Sequence, residues 1–196
     1  HAVNAMLAEE GAALMTLAEV TSFVGNGLPR LVELVIGARD LDVARQDALI
    51  ARVLAHYAEA DSAYTSLYPK VRAALDALAA QGHRLTLCTN KPEVPAREIL
   101  KHFELDDLFK TVICGDSLPT RKPDPAMLHA ALDDTAPHLY VGDSEVDAET
   151  AKHAGVPFLL FTEGYLKSPA HDLTHAALFN DFAQLPGLVA KVLTAA

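Results

Sequence analysis

Leu139-Tyr140-Val141-Gly142-Asp143-Ser144-Glu145-Val146-Asp147 joins two periodicities within nine residues. Leu139 to Gly142 is a short apolar run, the pattern of a strand buried on both faces. The acids after it occupy the start of a helix predicted from Val146 to Ala154, where the positive end of the helix dipole favours carboxylates. That helix stops at Gly155, and Phe158-Leu159-Leu160-Phe161 is a further apolar run. A strand, a helix and a second strand on short connections make a parallel unit, because parallel strands need a crossover between them.

The same alternation extends back to residue 70. A helix carrying Val71, Leu75 and Leu78 stops at Gly82 and precedes the strand Leu85-Thr86-Leu87-Cys88-Thr89. The helix Ala96 to His102 leads to the strand Thr111-Val112-Ile113-Cys114, and the helix Ala126 to Leu132 leads to Leu139. Phe158–Phe161 is expected as the last strand, with a closing helix from Leu185 to Leu193. The fold class is therefore α/β: a Rossmann-like parallel sheet flanked by helices, over residues 66–196. Residues 1–65 read differently, as a small all-helical domain. One helix through Ala5, Leu7, Leu14, Met15 and Leu17 runs to a turn at Gly25-Asn26-Gly27. A second, started by Pro29, carries Leu31, Val32, Leu34, Val35 and Ile36, and a third spans Val43 to Tyr57. Tyr64 to Pro69 breaks the pattern and reads as a linker.

Composition excludes several classes. With 51% apolar residues in 196, the chain can bury a core and is not disordered. No run of about 18 apolar residues marks a membrane span. The opening His1-Ala2-Val3-Asn4 lacks the basic-then-apolar pattern of a signal peptide. A net charge of −10 argues against nucleic acid, whose phosphates need a basic face, but leaves room for a small anionic substrate where cations gather. Two cysteines, Cys88 and Cys114, are too few for a disulfide scaffold, so a cytoplasmic protein is expected, as monomer or homodimer. They would form a redox pair only if their strands were neighbours. The histidines show no metal-ligand spacing.

In an open parallel sheet, ligands sit beyond the carboxyl ends of the strands. Three loops there carry chemistry. Thr89-Asn90-Lys91-Pro92 gathers a hydroxyl, an amide and an ammonium, which suit a phosphate and equally a polar turn before a helix. Arg121-Lys122-Pro123-Asp124-Pro125 holds Lys122 on a stiff backbone, fit to neutralise a phosphoryl group. A solvated lysine before a helix capped by Asp124 has the same pattern. The third loop places Asp143 and Asp147 four residues apart, where they can face one side of a turn. Hard carboxylate oxygens of this kind suit Mg²⁺ beside waters and a substrate phosphate.

Taken together, these loops make the chain resemble the haloacid dehalogenase superfamily and, within it, its small-molecule phosphatases acting on 2-phosphoglycolate. The helical domain resembles the family's cap. The resemblance implies that Thr89, with Asn90, binds phosphate, and that Lys122 neutralises charge. It further implies that Asp143 ligates Mg²⁺ directly, with Asp147 as a supporting acid one shell out. The implied reaction is hydrolysis of 2-phosphoglycolate through an aspartyl-phosphate. In the cap, Gly25, Asn26, Gly27 and Arg30 are candidates for holding the substrate's far carboxylate; an ordinary interhelical turn with a solvated arginine fits the same residues.

One feature departs from the family. Its nucleophile lies in an Asp-x-Asp-x-Thr loop after the first strand, and no such motif occurs in these 196 residues. The resemblance implies that this strand would lie between those at Leu85 and Leu139. The expectation is thus that the natural protein has an N-terminal segment ahead of His1, and that the chain as given is inactive. A sugar phosphomutase and a non-catalytic phosphate-binding pseudoenzyme remain alternatives. A dehalogenase would use no metal, and a phosphonoacetaldehyde hydrolase would need a cap lysine, which residues 1–65 lack.

Overall fold

The computed structural model describes residues 1–59, 64–132 and 137–195. Helices α1 (Ala2–Glu9), α2 (Leu17–Ser22), α3 (Gly27–Ala38) and α4 (Gln46–Glu59) form the helical bundle that the sequence resemblance reads as a cap. Their apolar faces enclose one cluster around Met6, Leu7, Val32, Val35, Leu49 and Val53, all nearly inaccessible to water. The single helix expected ahead of Gly25 is two. The chain leaves α1 through Gly11 at φ +66°, a conformation costly for any residue with a Cβ. It re-enters at α2 through a capping box in which Thr16 and Glu19 satisfy each other's backbone amides. Periodicity carries no sign of such a break, because Leu14, Met15 and Leu17 keep helical spacing across it.

The core runs α5 (Val71–Ala80), β1 (Leu85–Cys88), α6 (Glu93–His102), β2 (Phe109–Ile113), α7 (Ala126–Ala131), β3 (Tyr140–Gly142), α8 (Glu145–Ala154), β4 (Phe158–Phe161), β5 (Ala177–Phe179) and α9 (Leu185–Ala195). All strand pairs are parallel, as the alternation demanded. Phe158–Phe161 is not the last strand. β5 follows it and pairs with it through Leu159↔Ala177, Leu160↔Leu178 and Phe161↔Phe179. Three residues are too few to show a period, so only the pairing reveals β5.

The sheet is in two pieces, β1–β2 and β3–β4–β5. Between β1 and β3 lies a cavity of about 670 Å³, with Leu85 and Leu87 on one wall, Tyr140 and Val141 on the other, and Leu78 and Leu185 behind. The backbone edges of two strands border an apolar space there, at the place where the sequence resemblance put a central strand. Cys88 and Cys114 do lie on neighbouring strands, but Cys88 is in register with Ile113, so Cys114 points to the opposite face. Cys88 packs with Met127 and Tyr140, whereas Cys114 lies near Glu93 and Arg97. The two buried thiols do not face each other.

Candidate active site

The carboxyl end of β1, the first residue of β3 and the first turn of α8 converge on one ammonium. Lys122 Nζ donates to Cys88 O (3.2 Å), Tyr140 Oη (2.9 Å) and Asp147 Oδ1 (2.6 Å). Both members of the ion pair are buried, the side chains being 9% and 7% exposed. Asp147 comes from the first turn of α8, started by Ser144, whose Oγ caps the helix. The other oxygen, Oδ2, accepts from Ser144 Oγ (2.6 Å) and from the amide of Asp143 (3.2 Å), while Tyr140 Oη donates to Oδ1 (2.8 Å). Burial pushes the Asp147 carboxyl up, but Lys122 and these hydrogen bonds more than reverse it and hold it below the ordinary aspartate range. Asp147 is therefore a charged bracket for Lys122 with its acceptor positions taken.

Asn90 ties the second loop to the first. Its Oδ1 accepts from the Lys122 amide (3.0 Å), and its Nδ2 donates to Lys122 O (3.1 Å) and to Gly25 O in the cap (3.0 Å). Asn90 thus orients the backbone that carries Lys122. Thr89 Oγ1 accepts from the Lys91 amide (3.1 Å), which leaves its own proton available to donate. The loop passes so close to Gly115 that a Cβ there would lie 2.3 Å from Asn90 O. Asp124 Oδ1 accepts from the Ala126 amide at the start of α7, so this acid serves the helix end.

Asp143 is built differently. Among the described residues no other side chain donates to its carboxylate. Burial, then the neighbouring Asp147, raise it to about 6, opposed by Lys122. Gly164 makes room for it, since a Cβ there would fall 2.3 Å from Asp143 Cβ and Oδ2. Mg²⁺ commonly takes one or two carboxylates and keeps waters for the rest. The donor set fits that pattern with Asp143 as direct ligand and Asp147 holding Asp143 through its amide. Among the described residues no group of three or more His, Cys, Asp or Glu side chains is placed to hold a metal ion.

The cap turn reaches this site. Gly25 packs on Val146 at the start of α8, and Gly27 lies against Arg121 and Asn90 O. Lys167 Nζ donates to Val24 O (2.8 Å). Asn26 precedes α3 without a side-chain cap bond. Arg30 does not join them. It is half exposed and ion-paired with Glu33 one turn along α3 (2.6 Å), so its guanidinium is committed on the helix surface.

The sequence model for haloacid dehalogenase-like hydrolases matches residues 1–161. The chain belongs to that family. A phosphoglycolate phosphatase of Cereibacter sphaeroides (strain ATCC 17029) is 51% identical over 197 residues, covering 98% of this chain and 90% of that protein. The phosphoglycolate phosphatase of Rhodospirillum rubrum is 44% identical, covering 94% and 80%. A crystal structure of a predicted phosphoglycolate phosphatase from Haemophilus somnus 129PT superposes with a TM-score of 0.84 at 28% identity, covering 96% and 88%. A haloacid dehalogenase-like hydrolase from Bacteroides fragilis gives 0.81 at 27%, covering 94% and 89%. These relatives place the chain among the family's phosphatases. No helix of the described residues is long and apolar enough to cross a membrane.

Sequence reading missed several residues of this haloacid dehalogenase-like hydrolase site. Ser144 was legible in principle, because Ser-x-x-Asp before a helix is a capping signal. Tyr140 and the close approaches at Gly115 and Gly164 had no local signal.

Proposed function

We propose that the chain supplies the cap and most of the catalytic body of a cytoplasmic, Mg²⁺-dependent phosphatase that hydrolyses 2-phosphoglycolate to glycolate and phosphate. The observation that carries this reading is the buried Lys122 ammonium, fixed by Cys88 O at the carboxyl end of β1, by Tyr140 of β3 and by Asp147 of α8. Preorganised positive charge of this kind stabilises a phosphoryl group as its charge redistributes, without reorganising during the reaction. Thr89 donates its hydroxyl to a phosphoryl oxygen, and Asn90 keeps the Lys122 loop in place. Asp143 would hold Mg²⁺, which when bound neutralises phosphoryl charge. The cap turn at Gly25–Gly27 closes over the mouth of the site. The relatives named phosphoglycolate phosphatase support this substrate over a sugar phosphate.

The nucleophile in this reading is an aspartate on an additional strand that fills the cavity between β1 and β3, giving an aspartyl-phosphate that water then cleaves. A second aspartate on that strand protonates the leaving alkoxide and activates the water. The open edges of β1 and β3 and the absence of Asp-x-Asp-x-Thr from the 196 residues support it. These residues alone then have no turnover. The test compares them with a protein extended upstream by a strand bearing that motif, assayed on 2-phosphoglycolate across a Mg²⁺ series. Turnover in the extended protein alone is expected. Equal turnover in both would remove the nucleophile from the added strand, and none in either would favour the phosphate-binding pseudoenzyme.

A further inference from the structure

The seam between cap and core holds a cation that the phosphate chemistry leaves unused. Lys91 follows Thr89 and Asn90, yet its side chain turns to the cap. Its Nζ donates to the Tyr57 hydroxyl of α4 at 2.5 Å and lies 4.3 Å from the centre of the Tyr57 ring. The Lys91 main chain is clamped at both ends, its amide on Thr89 Oγ1 and its carbonyl accepting from the Gly115 amide (2.9 Å). Two residues of chain span at most about 7 Å, so the Lys91 backbone lies within that distance of Thr89.

The cap offers no cation of its own for an anionic substrate tail. Its four arginines are all committed: Arg30 to Glu33, Arg39 to Glu19, Arg45 to Glu10, and Arg52 to Glu9 and Glu10. Among the described residues, Asn90 and Lys167 bond across the seam to backbone carbonyls, whereas Lys91 ends on a neutral hydroxyl. A hydrogen bond from an ammonium to a carboxylate is stronger than one to a phenol, so an anion entering the seam is the better partner.

We propose that Lys91, positioned by the hydroxyl and ring face of Tyr57, binds the non-phosphate end of the substrate and selects for a carboxylate there. The inference rests on the phosphate-monoester reading of the same site and assigns to the core a task that the sequence had suggested for Arg30.

The test is calorimetric titration in Mg²⁺ of the protein extended upstream by the nucleophile-bearing strand, with its nucleophilic aspartate changed to asparagine to prevent turnover, using inorganic phosphate, ethyl phosphate and 2-phosphoglycolate. Wild type is compared with Lys91→Gln, Lys91→Arg and Tyr57→Phe, and thermal melting checks that each variant is folded. For Lys91→Gln, the preference for 2-phosphoglycolate over ethyl phosphate should fall by about ten- to a hundredfold, the range of a charged hydrogen bond. Lys91→Arg should restore part of it, and Tyr57→Phe should fall between. An unchanged preference, or an equal loss on all three ligands, overturns the Lys91 assignment while leaving the phosphate site standing. Failure of wild type to bind inorganic phosphate overturns the phosphate-site reading, and this inference with it.

Discussion

Asp147→Ala should be among the most damaging single substitutions in the core, through Lys122. The change leaves an ammonium whose side chain is 9% exposed with only Cys88 O and Tyr140 Oη as partners. Breaking a buried ion pair by removing one member costs about 3–5 kcal/mol, because the remaining charge stays desolvated. With a urea slope of about 2 kcal/mol per molar, the unfolding midpoint should drop by about 2 M. Lys122→Met removes the ammonium instead and leaves Asp147 its bonds from Tyr140, Ser144 and the Asp143 amide. The double variant should therefore lose less than the sum of the singles, with a coupling of about 2–3 kcal/mol. Urea titrations of the four proteins, followed by circular dichroism, give the cycle. Asp147→Asn, which keeps one carbonyl oxygen as acceptor in place of the two that Tyr140 and Ser144 use, serves if the alanine variant does not fold. A cost below about 1 kcal/mol for Asp147→Ala, the range of exposed pairs, or strict additivity in the cycle, would refute the bracket.

Gly164→Ala would put a methyl 2.3 Å from Asp143 Cβ and Oδ2 and must displace that side chain. Mg²⁺ affinity by calorimetry should fall about 10–100-fold, as for other changes that disturb a ligand's support; unaltered affinity would show that Asp143 is not the ligand. Asn90→Ala deletes two bonds to the Lys122 backbone and one to Gly25 O. It should cost about 1–3 kcal/mol and speed amide exchange at Gly25–Gly27. Arg30→Ala breaks only a surface pair with Glu33 and should change stability by less than about 1 kcal/mol, with no effect on the preference for 2-phosphoglycolate. A selective loss for that ligand would return Arg30 to the specificity role.

Much of this protein is written locally. The parallel pairing of β1 with β2 and of β3 with β4 follows from short apolar runs separated by helical periods. The three loops at their carboxyl ends already name Thr89, Lys122 and Asp143, because strand ends in such a sheet are where polar side chains can meet a ligand. The acids of the third loop could not be sorted by spacing, since a separation of four residues lets both face one side of a turn. Tertiary packing separates them: Lys122, Tyr140 and Ser144 take the oxygens of Asp147 and leave those of Asp143 open. β5 and the break at Gly11 escaped for a related reason, one being too short to show a period and the other hidden within an unbroken one. Arg30 and Lys91 differ in this respect. Charge and position along the chain favoured the arginine beside the cap turn. The Arg30–Glu33 pair is local, three residues apart on one helix, and helical spacing alone would have offered it. The partner of Lys91 is not, since Tyr57 lies 34 residues away and only the packing of the helical domain on the core brings it to the ammonium.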